Sequence, residues 1–439
     1  MLGGTGVILT IATGAVQFRH FGYAMKNTFG KVFEKSDEPG ALSPFQAACS
    51  ALASSIGASN IVGVPTAIAL GGPGAVFWMW LIAFVGMATK FSEVALGIKY
   101  REKNEKGEWI GGPFHYLSKG VPETIKGDFG KGLGKFLAIV FSFFLMIEIV
   151  PSVASQAVSV ADNAATLGIP KIAAVLVLLV ITVLVVCGGL KAIGNVADKL
   201  VPFMAIAYTI CAIIILIKNG AAVPSAFASI FSGAFTGTAA VGGFTGAAVS
   251  QAIRWGVARG CYSNEAGMGE AACAHATASV KHPVQQGFWG IFEVFIDTIV
   301  VCSMTALVVI TSGSWTTPDV SPATIPGLAF QGLFGEFGGK LVVTIILLCF
   351  VVSTIIVIIF YCEKQAEALF GKKVALVMRF ICFAAIIAGA YADLTVAFTY
   401  LDFLLGIAVI ANLIGLVIMA GQVKKLTKEY FENKELYKK

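Results

Sequence analysis

The chain has 439 residues, of which 57% are hydrophobic and 13% charged, with a mean hydropathy of +0.84. Soluble domains carry about 45–50% apolar and about 25% charged residues, so this composition excludes a disordered chain and a soluble enzyme and indicates a polytopic membrane protein. The net charge of +6 is no nucleic-acid signature, because the basic residues lie between apolar runs.

A bilayer crossing takes about 20 apolar residues in a helix, and about eleven such runs follow one another here. They fall at 2–17, 42–70, 73–99, 134–164, 171–189, 196–218, 238–260, 284–312, 338–362, 373–391 and 394–422. The first is short and stops before Arg19. It lacks the charged n-region and small-residue cleavage site of a signal peptide, and reads as a chain that starts inside its first helix. The polar stretch 100–133 predicts a loop with a short surface helix. The stretches 219–237 and 313–337 predict surface-lying or re-entrant segments. The resulting division is 1–41 (truncated first helix and inner loop), 42–218 and 238–422 (two five-helix blocks), 219–237 (outer connection) and 423–439 (basic tail).

Orientation follows from lysine and arginine, which favour the cytoplasmic side. With the N-terminus outside, the inner segments hold Arg19 to Lys35, Lys99 to Lys135, Lys191 and Lys199, Arg254, Arg259 and Lys281, Lys364 to Arg379, and the C-terminal lysines. Only Lys171, Lys218 and Lys340 fall outside, and Lys90 lies within the third run. The reading is an inner-membrane protein with its C-terminus in the cytoplasm and its basic collar on anionic lipid. The nine cysteines form no CxxC pair and the four histidines no HExxH, so no disulfide framework, metal centre or other cofactor is expected. No Ser/His/Asp or paired intramembrane aspartate motif supports an enzyme.

Two runs are poor helix material. Run two breaks at Gly57-Ala58-Ser59-Asn60 and then carries Gly63 and Pro65, while run seven holds Gly242-Gly243-Phe244-Thr245-Gly246. Glycine costs about 1 kcal/mol against alanine inside a helix and proline about 3. Unwound backbone survives in hydrocarbon only where it lines a cavity or is buried in protein. Each break opens one five-helix block, and an odd number of crossings inverts the second block. This is the pattern of an inverted repeat whose discontinuous helices hold substrate and ion. Freed N–H groups suit a carboxylate and freed carbonyls a cation.

Several charges fall inside the runs. Lys90 and Glu93, at i and i+3, predict an ion pair on one helix face. Glu293 and Asp297, at i and i+4, read as a proton relay or as gate residues. Glu148 lies near the middle of run four, with Gln156 about 80° round the same helix. It suits a coupling proton, a cationic group of the substrate, or a neutral acid hydrogen-bonded in the bundle. Asn264 and Glu265, in Ser263-Asn264-Glu265-Ala266-Gly267, read as the cap and first turn of a short helix at the inner gate.

Gly71-Gly72-Pro73-Gly74-Ala75-Val76-Phe77-Trp78-Met79-Trp80 followed by Gly86-Met87-Ala88-Thr89-Lys90 resembles the signature of the sodium:alanine symporter family. Gly111-Gly112-Pro113, Val201-Pro202-Phe203-Met204, Asp297-Thr298 and Ser353-Thr354-Ile355 fit it too. The resemblance implies an all-α leucine-transporter fold and uptake of a small neutral amino acid, alanine- or glycine-like, by a monomer. The coupling ion would be sodium, with protons as the alternative; a channel is the rival from another class. It further implies that Gly57, Ala58, Ser59 and Asn60 meet the substrate, with the Ala58 and Ser59 N–H groups on its carboxylate. Backbone from Gly243 through Phe244 to Thr245 would take the ammonium, with Gln156 and Ile358 in the pocket. The carbonyls of Ala53 and Ile56 and the hydroxyls of Ser353 and Thr354 would hold sodium. The chain departs from the family at Ala58-Ser59, at Ser152-Val153 and at Val357-Ile358, where the family has Thr-Gly, Gly-Asn and Gly-Trp.

Overall fold

A computed structural model describes residues 1–30, 32, 41–105, 107–236 and 245–437. Helices dominate because the long apolar runs must satisfy their backbone internally. The chain opens with α1 (Leu2–Ala12), α2 (Val16–Arg19) and α3 (Phe21–Phe29). The Gly14-Ala15 pair, both at positive φ, separates the first two and divides the predicted first run. The second run becomes α4 (Pro44–Ser55), a wide π-turn Ser59–Gly63 and α5 (Val64–Gly71), bent by 43° at the break. Ser43 starts α4 with a reciprocal cap to Gln46 and Pro44 at the first position.

The next crossings are α6 (Ala75–Lys99), α8 (Asp128–Ala165), α9 (Lys171–Val186) and α10 (Gly189–Lys218). Between α6 and α8 lie a hairpin, β1 (Glu102–Lys103) with β2 (Trp109–Ile110), and the surface helix α7 (Pro113–Thr124). That hairpin is the one sheet among the described residues, beside an isolated bridge between Leu42 and Ala278. The outer connection forms α11 (Val223–Thr236).

Beyond it come α12 (Thr245–Asn264), the short α13 (Ala271–His275) and α14 (Pro283–Val294). A π-helical segment, Phe295–Cys302, joins α14 to α15 (Ser303–Ser312). Then follow α16 (Ile325–Phe370), kinked at Gly335, α17 (Lys372–Ala388), α18 (Leu394–Ile418) and the amphipathic tail helix α19 (Ala420–Glu432). Among the described residues six helices are long and apolar enough to cross a bilayer and the bent pair makes a seventh. The predicted crossings α1, α9, α12 and α17 are shorter or more polar. Arg254 and Arg259, read as inner-loop residues, lie within α12, and Arg259 is fully buried. The lysine bias rests on the other loops.

The broken α4–α5 pair sits at the centre of the bundle. The faces of α8, α12 and α16 turned toward it are buried, while Phe203, Ile206 and Ile217 on α10 and Leu184 on α9 face outward. Small residues permit the close approaches. A Cβ on Gly256 would lie 2.2 Å from the Ala75 carbonyl oxygen, which fixes α12 against α6.

Candidate functional site: a polar cavity between two helix breaks

The break in the second run is written in hydrogen bonds. In an unbroken helix the N–H groups of Gly57 and Ala58 would reach the Ala53 and Ser54 carbonyls. Here Gly57 N–H donates to Asn60 Oδ1 at 2.9 Å, and Ala58 N–H to Gln156 Oε1 of α8 at 3.0 Å. The carbonyls of Ala53 and Ser54 lose those helical donors. Asn60 is held in turn: its Nδ2 donates to Asp297 Oδ1 at 2.6 Å and to Ser263 Oγ at 3.0 Å. Asp297 also accepts from Ser263 Oγ at 3.0 Å and from Thr298 Oγ1 at 2.7 Å. Asn264 Nδ2 donates to the same Thr298 hydroxyl at 3.0 Å.

A second break lies where α12 ends. Glu265, Gly267 and Gly269 all have positive φ, at 57°, 96° and 80°, before the chain resumes a helix at Ala271. The left-handed conformation costs a residue with a Cβ roughly 1–2 kcal/mol, so Glu265 is held there by its surroundings. The sequence reading put the break of run seven earlier. Gly243 and Phe244 lie outside the described residues, and Thr245 begins α12. Glu265 closes α12 instead of opening a new helix, and Asn264 Oδ1 accepts from Ala266 N–H at 2.9 Å inside that turn.

The two breaks face one another across a nearly closed cavity of about 10 Å³, room for about one water molecule. Ser54, Ser59, Thr354 and Ile358 line one part; Glu148, Ser152 and Gln156 of α8 line another. Tyr262, Glu265, Met268 and Glu270 complete it from the second break. Sequence reasoning missed Glu270 and Tyr262. The glycines at 267 and 269 were the signal for a break that would turn Glu270 inward.

The residues expected to hold a cation lie beside the first break. Thr354 Oγ1 is 3.5 Å from the Ile56 carbonyl oxygen, and a Cβ on Gly57 would stand 2.3 Å from the same hydroxyl. Ser353 is buried next to it, its hydroxyl donating to the Phe350 carbonyl at 2.8 Å. These oxygens suit a hard monovalent ion. Among the described residues no cluster of three or more His, Cys, Asp or Glu could hold a metal ion.

Ion pairs adjoin the cavity through two of its lining residues, Glu265 and Tyr262. Lys90, 0% exposed, lies 2.9 Å from Glu293 and 3.4 Å from Glu265. Glu293 also contacts His275 Nε2 at 3.0 Å and accepts from Ser55 Oγ at 3.2 Å. The expected Lys90–Glu93 pair does not form. Glu93 accepts from Asn412 Nδ2 at 2.7 Å and from Gly267 N–H at 3.3 Å. Glu293 and Asp297 stay one turn apart on a continuous helix. The π-helical segment begins between them, and each has its own partners. On the other side Arg259 of α12 pairs with Asp402 of α18, its guanidinium 4.4 Å from the Phe398 ring centroid. Tyr262, one turn on, shares a hydrogen bond of 2.9 Å with Ser152 across the cavity. Asp402→Asn leaves Arg259 buried without a carboxylate and is expected to lower both the thermal midpoint in detergent and transport, the latter by about tenfold. Unchanged values for both would show that this pair does not hold α12 to α18.

Discontinuous helices meeting around a central polar cavity, inside a bundle of apolar crossings, define a secondary transporter. The chain belongs to the sodium:alanine symporter family, whose model matches residues 1–439. It is a multi-pass protein of the cell membrane and not an enzyme. It is 46% identical to the uncharacterized transporter YflA of Bacillus subtilis, over 100% of this chain and 91% of that protein. It is 41% identical to the sodium/alanine symporter AgcS of Methanococcus maripaludis, over 98% and 93%. The fold is that of MhsT crystallised with L-phenylalanine, with a TM-score of 0.59 and 13% identity over 90% of this chain and 99% of that one.

Proposed function

We propose that the protein carries an amino acid into the cell together with sodium by alternating access about the central cavity. The observation that carries this reading is the pairing of two unwound segments across one cavity, with the Ile56 carbonyl and the Thr354 hydroxyl beside the first. The substrate carboxylate takes backbone donors of the first break. Since Gln156 occupies the Ala58 N–H in this state, binding exchanges Gln156 for the carboxylate, and the freed amide then contacts the substrate. The ammonium goes to the second break, at Glu265 to Gly269, in place of the earlier glycines. Sodium sits among the Ala53 and Ile56 carbonyls and the Ser353 and Thr354 hydroxyls. Arg259–Asp402 and the Lys90–Glu265–Glu293 cluster open in turn, on the outer and inner sides, with the N-terminus outside. The relationship to a sodium/alanine symporter supports the ion and the substrate class.

Purified protein in proteoliposomes tests this, with a sodium gradient alone and a proton gradient alone driving labelled amino acids. Sodium-driven uptake is expected, and Thr354→Ala is expected to raise the half-saturating sodium concentration about tenfold or more. Uptake driven by protons alone and indifferent to Thr354→Ala would replace sodium by the proton.

A further inference from the structure

The side-chain end of the cavity is acidic, and its acids are short of counter-charge. Glu148, 1% exposed, projects from α8 beside Ser152 and Gln156, and its Oε1 is buried without a hydrogen-bond partner. Glu270, 3% exposed, enters the same cavity from the second break. The nearby cations are committed elsewhere. Lys90 answers Glu293 and Glu265, and Arg259 answers Asp402. Glu93 and Asp297 are satisfied by amides, hydroxyls and a backbone N–H. Among the described residues no ion pair reaches Glu148 or Glu270.

A buried carboxylate with no partner is costly, and the cost falls when a cation binds. A neutral amino acid is a zwitterion and brings no net charge, whereas a second ammonium group on its side chain would answer carboxyl groups that neither Lys90 nor Arg259 pairs with. The lining points the same way. Met268, Ile358 and the Tyr262 ring are the apolar groups of the lining, and the other eight residues present carboxyl, hydroxyl or amide groups, a poor match for a bare methyl side chain.

Resting on the reading of the protein as an amino-acid symporter, we propose that this wall selects an amino acid whose side chain ends in a second ammonium group, held between Glu148 and Glu270. Two carboxylates from different elements, α8 and the second break, give a compact ammonium ion several acceptors. The substrate class is then a short dibasic amino acid instead of alanine or glycine.

The test uses the full chain in proteoliposomes under an inward sodium gradient. Labelled 2,4-diaminobutyrate, ornithine and lysine are compared with alanine, glycine and glutamine. At least one dibasic compound is expected to be preferred in kcat/KM by about tenfold or more. Glu148→Gln and Glu270→Gln are each expected to cut the dibasic-to-alanine ratio by about tenfold to hundredfold, the worth of a hydrogen bond to a charged group. Glu148→Asp, which keeps the charge, is expected to retain the preference. A ratio within one protein is insensitive to how much of it folds. Sodium-driven uptake of alanine, glycine or glutamine with dibasic compounds at background would overturn this proposal and leave the symporter reading standing. No uptake of either class would overturn both.

Discussion

Gly57→Ala is expected to bring sodium-coupled uptake to background. The added Cβ would stand 2.3 Å from Thr354 Oγ1 and 3.2 Å from Thr354 Cβ, too close for any side chain. Either Thr354 rotates away from the Ile56 carbonyl or the α4–α5 break shifts from α16. Both outcomes scatter the oxygens assigned to sodium, and the first also strains the Gly57 N–H bond to Asn60. Because the contact is with a side chain, Thr354→Ala in the same protein relieves the crowding. The double variant is therefore expected to recover thermal stability in detergent but not sodium-driven uptake. Wild-type uptake by Gly57→Ala alone would mean that this approach is no part of the ion site.

Lys90→Met is expected to be the most damaging single change to stability. It leaves Glu265 and Glu293 buried without their shared cation, at a cost of about 3–5 kcal/mol. Since Glu265 shapes the second break, the loss spreads from the ion pair to the cavity wall. Lys90→Arg is expected to recover part of the stability, because a guanidinium also reaches two carboxylates, though with different geometry. Adding Glu265→Gln and Glu293→Gln to Lys90→Met is expected to restore the thermal midpoint while transport stays lost. A Lys90→Met protein as stable as the parent would show that the carboxylates are neutralised by other means.

The crossings were legible in the sequence because hydrocarbon allows one solution for an isolated chain, a continuous helix about 20 residues long. The first break was legible for the complementary reason: Gly57, Asn60, Gly63 and Pro65 concentrate helix-weakening residues in one apolar run. The break at Glu265 to Gly269 was not read because the glycines at 242–246, most of them outside the described residues, look more severe than Gly267 and Gly269, which follow a polar stretch resembling a cap. With it went Glu270, whose inward position depends on the left-handed turns before it. The partners of Lys90 were hidden for another reason. Spacing along a helix shows only neighbours on that helix, whereas Glu265 and Glu293 arrive from other elements of the bundle. Ser59, Gln156, Thr354 and Glu148 were identified individually, but their shared cavity comes from packing.

The bond from Ala58 N–H to Gln156 makes the shape of one helix depend on a residue of another. A chain without an acceptor at 156 would have every reason to return that N–H to the Ser54 carbonyl and close the helix. The dependence runs one way: any residue but proline keeps the N–H at 58, whereas losing the acceptor at 156 passes through a protein with a straightened helix and no site. Divergence of this pocket is therefore expected to proceed at 58 while an acceptor stays at 156.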